Sequence, residues 1–232
     1  MCLYYYSPGV SVKAHLEQYL NWSEYIDWKH PLVVAKAAEL AEGCLSDEAI
    51  AKHCFEFVRD SIKHRWDHRK NPVTCKASDV LIHGTGYCFS KSHLLAALLR
   101  ANAIPSGLCY QRLTVEADVS PYCLHGLNAV YLKQHGWYRI DARGNKPGVN
   151  AEFCPPIERL AFIIVGDLER DFPEIWAEPL PLVVKALTKN NTVEQVFANL
   201  PDIEVIQNQH ALNTTVPNKQ LSAKNPMTPF PA

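Results

Sequence analysis

Three residue types in chain order set the chemistry this sequence can perform. Cys88 lies where a glycine-rich turn, His83-Gly84-Thr85-Gly86-Tyr87, gives way to an apolar helical run. A helix N-terminus presents unpaired N–H groups and a positive dipole end, so a thiol placed there ionises readily and becomes nucleophilic. His125 opens a β-like run, Leu124 to Tyr131, and Asp141 closes the next, Gly136 to Asp141. Cys, then His, then Asp is the set needed for acyl transfer through a thiol: a nucleophile, a base that shuttles its proton, and a carboxylate that orients the base. The Cys88 backbone N–H is the expected oxyanion donor, and the Trp66 indole N–H is a candidate second one. Tyr87 beside Cys88, Arg139, Arg143 and Asn145 around Asp141, and Tyr110 and Gln111 on the strand after the central helix are candidate substrate contacts.

Strand parity ties the His to the Asp. Trp137, Arg139 and Asp141 share one face of their strand, and His125, Leu127, Ala129 and Tyr131 share one face of the preceding strand. A connecting loop of odd length sets Asp141 opposite Leu127, with His125 a diagonal neighbour about 7–8 Å away. A plain two-residue turn puts the pair on opposite faces, so pairing of His125 with Asp141 requires an odd loop or a bulge.

The elements that must hold these groups are readable from periodicity and caps. Residues 31–42 read as a helix with Pro31 in its first turn, and Ser46 or Asp47 caps a second helix with Ile50, Cys54, Phe57, Val58 and Ile62 as its buried stripe. A polar loop is expected over 63–71, a short helix over 77–82, and a buried helix over 88–101 that ends at Ile104-Pro105. Strands follow at about 107–115, 124–132 and 136–142. A proline-rich, loop-rich stretch spans 143–179, and two short helices are expected at 180–187 and 193–200. Helices first and an antiparallel sheet after is an α+β order.

Composition excludes several classes. The chain has 232 residues, 47% of them hydrophobic and 20% charged, with a formal net charge of -1. That allows a substantial core and gives no basic block for nucleic acid. Apolar runs fall short of the ~18 residues that span a bilayer, and no signal-peptide pattern opens the chain, so a cytoplasmic protein is expected. The eight cysteines form no CxxC pair, which argues against a zinc ribbon or a dithiol redox site. Cys54 and Cys109 read as small core residues. His64 and His68 are four apart, but without a third ligand at metal spacing they read as members of the polar loop.

The segment ASDVLIHGTGYCFSKSHLLAALLRANAIPSGLCYQRL, residues 77–113, resembles the core of the transglutaminase-like superfamily. The shared pattern is a Gly-x-Cys turn, an apolar helix ending in Leu98-Leu99-Arg100, and a turn through Ile104-Pro105 into a strand; Ala103 replaces the usual Gly. HGLNAVYLKQHGWYRIDARGN resembles the family's His strand and Trp-x-x-Asp strand. The resemblance covers about residues 45–150. It implies a papain-like α+β fold with a Cys88–His125–Asp141 triad, and acyl chemistry through a thioester on a peptide, protein or small amide. Water as acceptor gives hydrolysis, the favoured outcome, and an amine gives transamidation. An arylamine N-acetyltransferase-like enzyme and a non-catalytic binding module that keeps the fold are the competing readings. The calcium-dependent animal members carry additional β domains that this chain is too short to hold, so no metal or cofactor is expected. Residues 1–180 are expected to form the catalytic domain, with an aromatic arm over 1–30. Residues 181–232 are expected to form an extension whose tail, from about 211, or the arm, covers the cleft.

Overall fold

The computed structural model describes residues 12–69, 71–116 and 119–204. Two layers pack around one long helix. Helix α6 (Cys88–Ala101) is buried from Cys88 through Arg100, as a helix enclosed on all sides must be. On one side lie α2 (Pro31–Ala41), α3 (Asp47–Glu56) and α5 (Ala77–His83). On the other lies a four-stranded antiparallel sheet in the order β5-β4-β3-β8, built from β3 (Ser106–Glu116), β4 (Val119–Leu132), β5 (Gly136–Ile140) and β8 (Arg170–Asp171). This is the α+β, papain-like and transglutaminase-like arrangement expected.

Local chemistry fixes the helix ends. Ser46 Oγ accepts from Ala49 N at 3.1 Å and caps α3. Asp27 accepts from both Ser78 N and Ser78 Oγ at the start of α5, which ends at Gly84 in the left-handed region (φ 62°), a conformation open to glycine at no steric cost. Helix α3 passes into a π turn at Phe57–Ser61. Lys91 of α6, fully buried, donates to the carbonyls of Arg59 and Ile62 at the end of that turn. Burial pulls its pKa down to about 7.

The stretch expected as a polar loop over 63–71 is instead partly built into the fold. Lys63–His64 form a short strand, β1, pairing in parallel with β2 (Thr85–Gly86), and Arg65–His68 form α4. Arg65 is fully buried and donates to Thr74 Oγ1 and the Thr85 carbonyl. His64 is buried with its ring edge-on to Tyr87 at 5.9 Å, so the two histidines do not share a solvated loop. Among the described residues no group of three or more His, Cys, Asp or Glu could hold a metal ion.

Strand β4 is longer than expected, reaching back to Val119. A short hairpin, β6 (Glu152–Cys154) with β7 (Ile157–Arg159), interrupts the loop-rich stretch. Helices α7 (Pro181–Lys189) and α8 (Val193–Ala198) contribute Val183, Leu187, Val193 and Val196 to the main core. α1 (Val12–Glu17) and the turn after it lead to Tyr19, whose ring packs with Cys109, Leu127, Ala129 and Ile175 and whose hydroxyl donates to Ile175 O at 3.0 Å. The first eleven residues of the aromatic arm and the tail from 211 lie outside the described residues. Cys54 and Cys109 are core residues, and burial pushes each thiol up to about 12. No described helix is long and apolar enough to cross a membrane.

Candidate functional site

Cys88 begins α6. Its N-cap, Tyr87, makes no side-chain capping hydrogen bond, having no short polar group to do so; its hydroxyl, at the far end of the ring, donates to Val193 O at 2.6 Å. The first turn of the helix is therefore left uncapped by that side chain, with its N–H dipoles directed at the Cys88 end. Cys88 itself is 8% exposed.

The β4–β5 hairpin brings His125 and Asp141 together. Leu132 pairs with Gly136 and Asn128 with Ile140, so the loop is the three residues 133–135, an odd length. Gly136 takes the positive φ (71°) that closes it. The same register carried one step further sets Asp141 opposite Leu127. β5 parts from β4 after Asn128, and His125 Nε2 lies 2.7 Å from Asp141 Oδ2. Asp141 is fully buried and also accepts from Arg143 N on Oδ1 and Ala161 N on Oδ2, each at 3.1 Å. Three donors on one buried carboxylate fix its orientation and favour its charged form. Burial alone would raise the Asp141 pKa; His125 and the two backbone N–H groups reverse this and hold it below the usual carboxylate range.

The other neighbour of His125 is Cys88. Burial opposes protonation of the ring, but the charges of Asp141 and Cys88 and the hydrogen bond to Asp141 outweigh burial and push the His125 pKa up to about 10. With Nε2 on Asp141, Nδ1 is the ring nitrogen left to exchange a proton with the thiol. The Phe162 ring stands edge-on to His125, centroids 4.9 Å apart, and walls its flank.

One positioning residue escaped the sequence reading. Gly126, next to His125, rests directly on Phe89, next to Cys88: a Cβ at 126 would meet Phe89 Cδ1 at 2.8 Å and Phe89 Cα at 3.1 Å. The missing side chain lets β4 settle on the first turn of α6, with His125 and Cys88 the residues just before the point of closest approach. The signal was present, since an isolated Gly inside a strand pattern marks close backbone approach.

The other candidates divide sharply. Trp66 is sandwiched between Phe197, stacked at 3.5 Å, and the Arg69 guanidinium, 3.5 Å from its centroid; packing accounts for it. Tyr110 is buried, and its hydroxyl accepts from Leu180 N at 3.2 Å. Arg139 is held by Glu158 and Asp171, at 2.8 and 2.6 Å. Arg143 makes a fork to Asp67 at 2.7 and 3.1 Å. Asn145 staples its own loop through Asn150 and Ala151. Tyr87, Tyr110, Arg139, Arg143 and Asn145 thus spend polar atoms on the protein's own groups. Gln111 differs: it faces His125 across the β3–β4 ladder, and its buried Oε1 has no hydrogen-bond partner among the described residues.

Residues 34–142 match the family described as the transglutaminase-like superfamily. No curated protein matches the chain. Among solved structures, a candidate cysteine protease from Cytophaga hutchinsonii is 17% identical with a TM-score of 0.47, the match covering 59% of this chain and 45% of that one. The periplasmic domain of TgpA from Pseudomonas aeruginosa is 17% identical with a TM-score of 0.42, covering 55% and 46%. Red sea bream transglutaminase is 11% identical with a TM-score of 0.42, covering 59% and 32%. The chain spans less than half the length of each. The second match corrects one expectation: similar structures include a periplasmic domain, so the cytoplasmic location expected from composition does not stand.

Proposed function

Because the chain carries a transglutaminase-like superfamily domain with distant cysteine-protease and transglutaminase relatives, we propose that it is a cysteine-dependent acyl-transfer enzyme that hydrolyses an amide or isopeptide bond. His125 holds the proton it has taken from the thiol, and Cys88 Sγ attacks the amide carbonyl as the thiolate. The Cys88 N–H, at the start of α6, donates to the oxyanion of the tetrahedral intermediate. The C–N bond then breaks, the leaving amine departs with the proton held by His125, and a thioester remains on Cys88. Water, deprotonated by His125, adds to the thioester; collapse expels the Cys88 thiolate and releases the acid. Asp141 holds the imidazole through Nε2 and stabilises its charged form.

The observation that carries this reading is the buried Nε2–Oδ2 contact of 2.7 Å between His125 and Asp141, made by a histidine whose other neighbour is the thiol at a helix N-terminus. The test is a screen of peptide anilides and ε-acyl-lysine amides with wild type and Cys88→Ala, with acid-quenched protein analysed by mass for an acyl adduct on Cys88. Turnover by wild type alone, with the adduct trapped, is expected. Turnover that survives Cys88→Ala contradicts the proposal. Addition of a primary amine separates hydrolysis from transamidation by the product formed.

A further inference from the structure

We propose that the loop from Ile163 to Leu168 is an apolar subsite that takes an aliphatic or aromatic side chain of the acyl donor, beside the bond presented to Cys88; the inference rests on the acyl-transfer reading above. The loop starts within the candidate site. Ala161 N–H donates to Asp141, and the Phe162 ring lies against His125. It ends at β8, where Arg170 and Asp171 pair with Arg112 and Gln111 of β3, and Gln111 pairs in turn with His125. Between these ends Ile163, Val165 and Leu168 are 43%, 64% and 52% exposed. Single apolar side chains on a surface need no explanation, but three exposed within six residues, on a loop that leaves a buried His–Asp pair, are a local concentration of the kind that marks a binding site.

The loop is also held in one shape. Glu169 is buried, and its carboxylate takes four donors: Val165 N and Gly166 N on Oε2, at 2.8 and 3.2 Å, and Thr114 N and Thr114 Oγ1 on Oε1, at 3.0 and 2.9 Å. The Leu168 carbonyl accepts from Arg112 Nη1 at 3.0 Å, and Arg112 is itself forked onto Asp202. A buried carboxylate bridging an irregular segment to β3, together with Ile164 packed on the main core, keeps the exposed aliphatic side chains in place. A preorganised apolar surface next to a reacting group binds an apolar side chain without a further ordering cost.

The test uses the full-length protein with the chloromethyl ketones of N-acetyl-leucine and N-acetyl-aspartate, and with iodoacetamide in parallel. Modification of Cys88 is read by peptide mass spectrometry. Wild type is expected to react with the leucine probe about tenfold or more faster than with the aspartate probe, the discrimination a modest apolar pocket gives. Val165→Ser combined with Leu168→Ser is expected to bring the ratio near one, and Leu168→Met to retain it. Both substituted side chains are solvent-exposed, so these variants are expected to fold. Equal rates for the two probes in wild type, as a surface covered by residues 205–232 or by a second copy of the chain would give, overturn the proposal, as does a ratio unchanged in the double variant. Iodoacetamide separates the two possible failures. A Cys88 that outpaces a free thiol with iodoacetamide but shows no probe preference defeats the subsite alone. A Cys88 with no elevated iodoacetamide rate defeats the reading beneath it.

Discussion

Gly126 in β4 sits on Phe89 in α6 with no room for a side chain between them: a Cβ at 126 would lie 3.1 Å from Phe89 Cα and 3.3 Å from its backbone N. Backbone cannot move aside as a side-chain tip can. Gly126→Ala is therefore expected to cost about 1–3 kcal/mol, the usual range for overpacking a filled core, and to lift His125 away from Cys88. Thermal melts are expected to show a lowered Tm, and Cys88 alkylation is expected to slow in the folded variant. A variant with wild-type Tm and wild-type alkylation would remove Gly126 from the positioning of the pair.

Asp141 is what keeps His125 charged against burial. In Asp141→Asn the carboxylate charge is gone while desolvation of the ring persists, so the His125 pKa drops from about 10. The high-pH limb of the activity or alkylation profile is expected to move to lower pH, with a rate loss on the order of 10²–10⁴-fold near neutrality. An unchanged alkaline limb would mean that another group sets it.

Asp67 supports the site from outside. It holds the Arg143 guanidinium by two hydrogen bonds, and Arg143 N in turn donates to Asp141. The Arg143 side chain is buried, so Asp67→Ala leaves an uncompensated charge and is expected to cost about 3–5 kcal/mol. Denaturant unfolding measures this directly. A loss under 1 kcal/mol would show that water and the Gly144 carbonyl satisfy Arg143 without Asp67.

Two histidines outside the site make the fold sensitive to acid. Burial lowers the pKa of His93 to about 4 and that of His64 to about 3. Both are neutral in the fold at pH 7, and His93 Nδ1 lies 2.8 Å from Cys75 O. Their folded pKa values lie below the unfolded value of about 6.5, so the unfolded chain binds more protons as pH falls from there. Stability is full above pH 6.5 and declines as pH drops toward 4. His93→Asn, which keeps a donor near the Cys75 carbonyl, is expected to flatten the fall in Tm between pH 7 and 4.5. An unchanged slope would assign the acid sensitivity to other groups.

The helix start and the hairpin parity were more legible in the sequence than the scaffold around them. The start of α6 at Cys88 follows from the glycine turn and the apolar run, and the odd loop follows from the need to place His125 and Asp141 on one face. Charged residues misled where they are buried. Lys63 to Asn71 reads as solvated because it is polar, yet Arg65 is enclosed and paired to Thr74 and the Thr85 carbonyl. Arg100, the end of the Leu-Leu-Arg element, bonds three carbonyls distant in sequence or across a turn, those of Asn21, Ser106 and Ala177. Local patterning carries no sign of such partners. Strand β8 escaped for the same reason: two charged residues just before Phe172-Pro173 become a strand only because the edge of β3 is there to pair with them.

The central claim is that Cys88 is a nucleophile served by His125, and the most direct measurement is the rate of Cys88 alkylation by iodoacetamide as a function of pH, resolved by peptide mass spectrometry, in wild type and His125→Ala. Wild-type Cys88 is expected to react below pH 7 faster than a small free thiol, with the advantage lost in His125→Ala. A Cys88 that reacts no faster than the free thiol, at a rate indifferent to His125, would contradict the account and leave a binding module with the same fold.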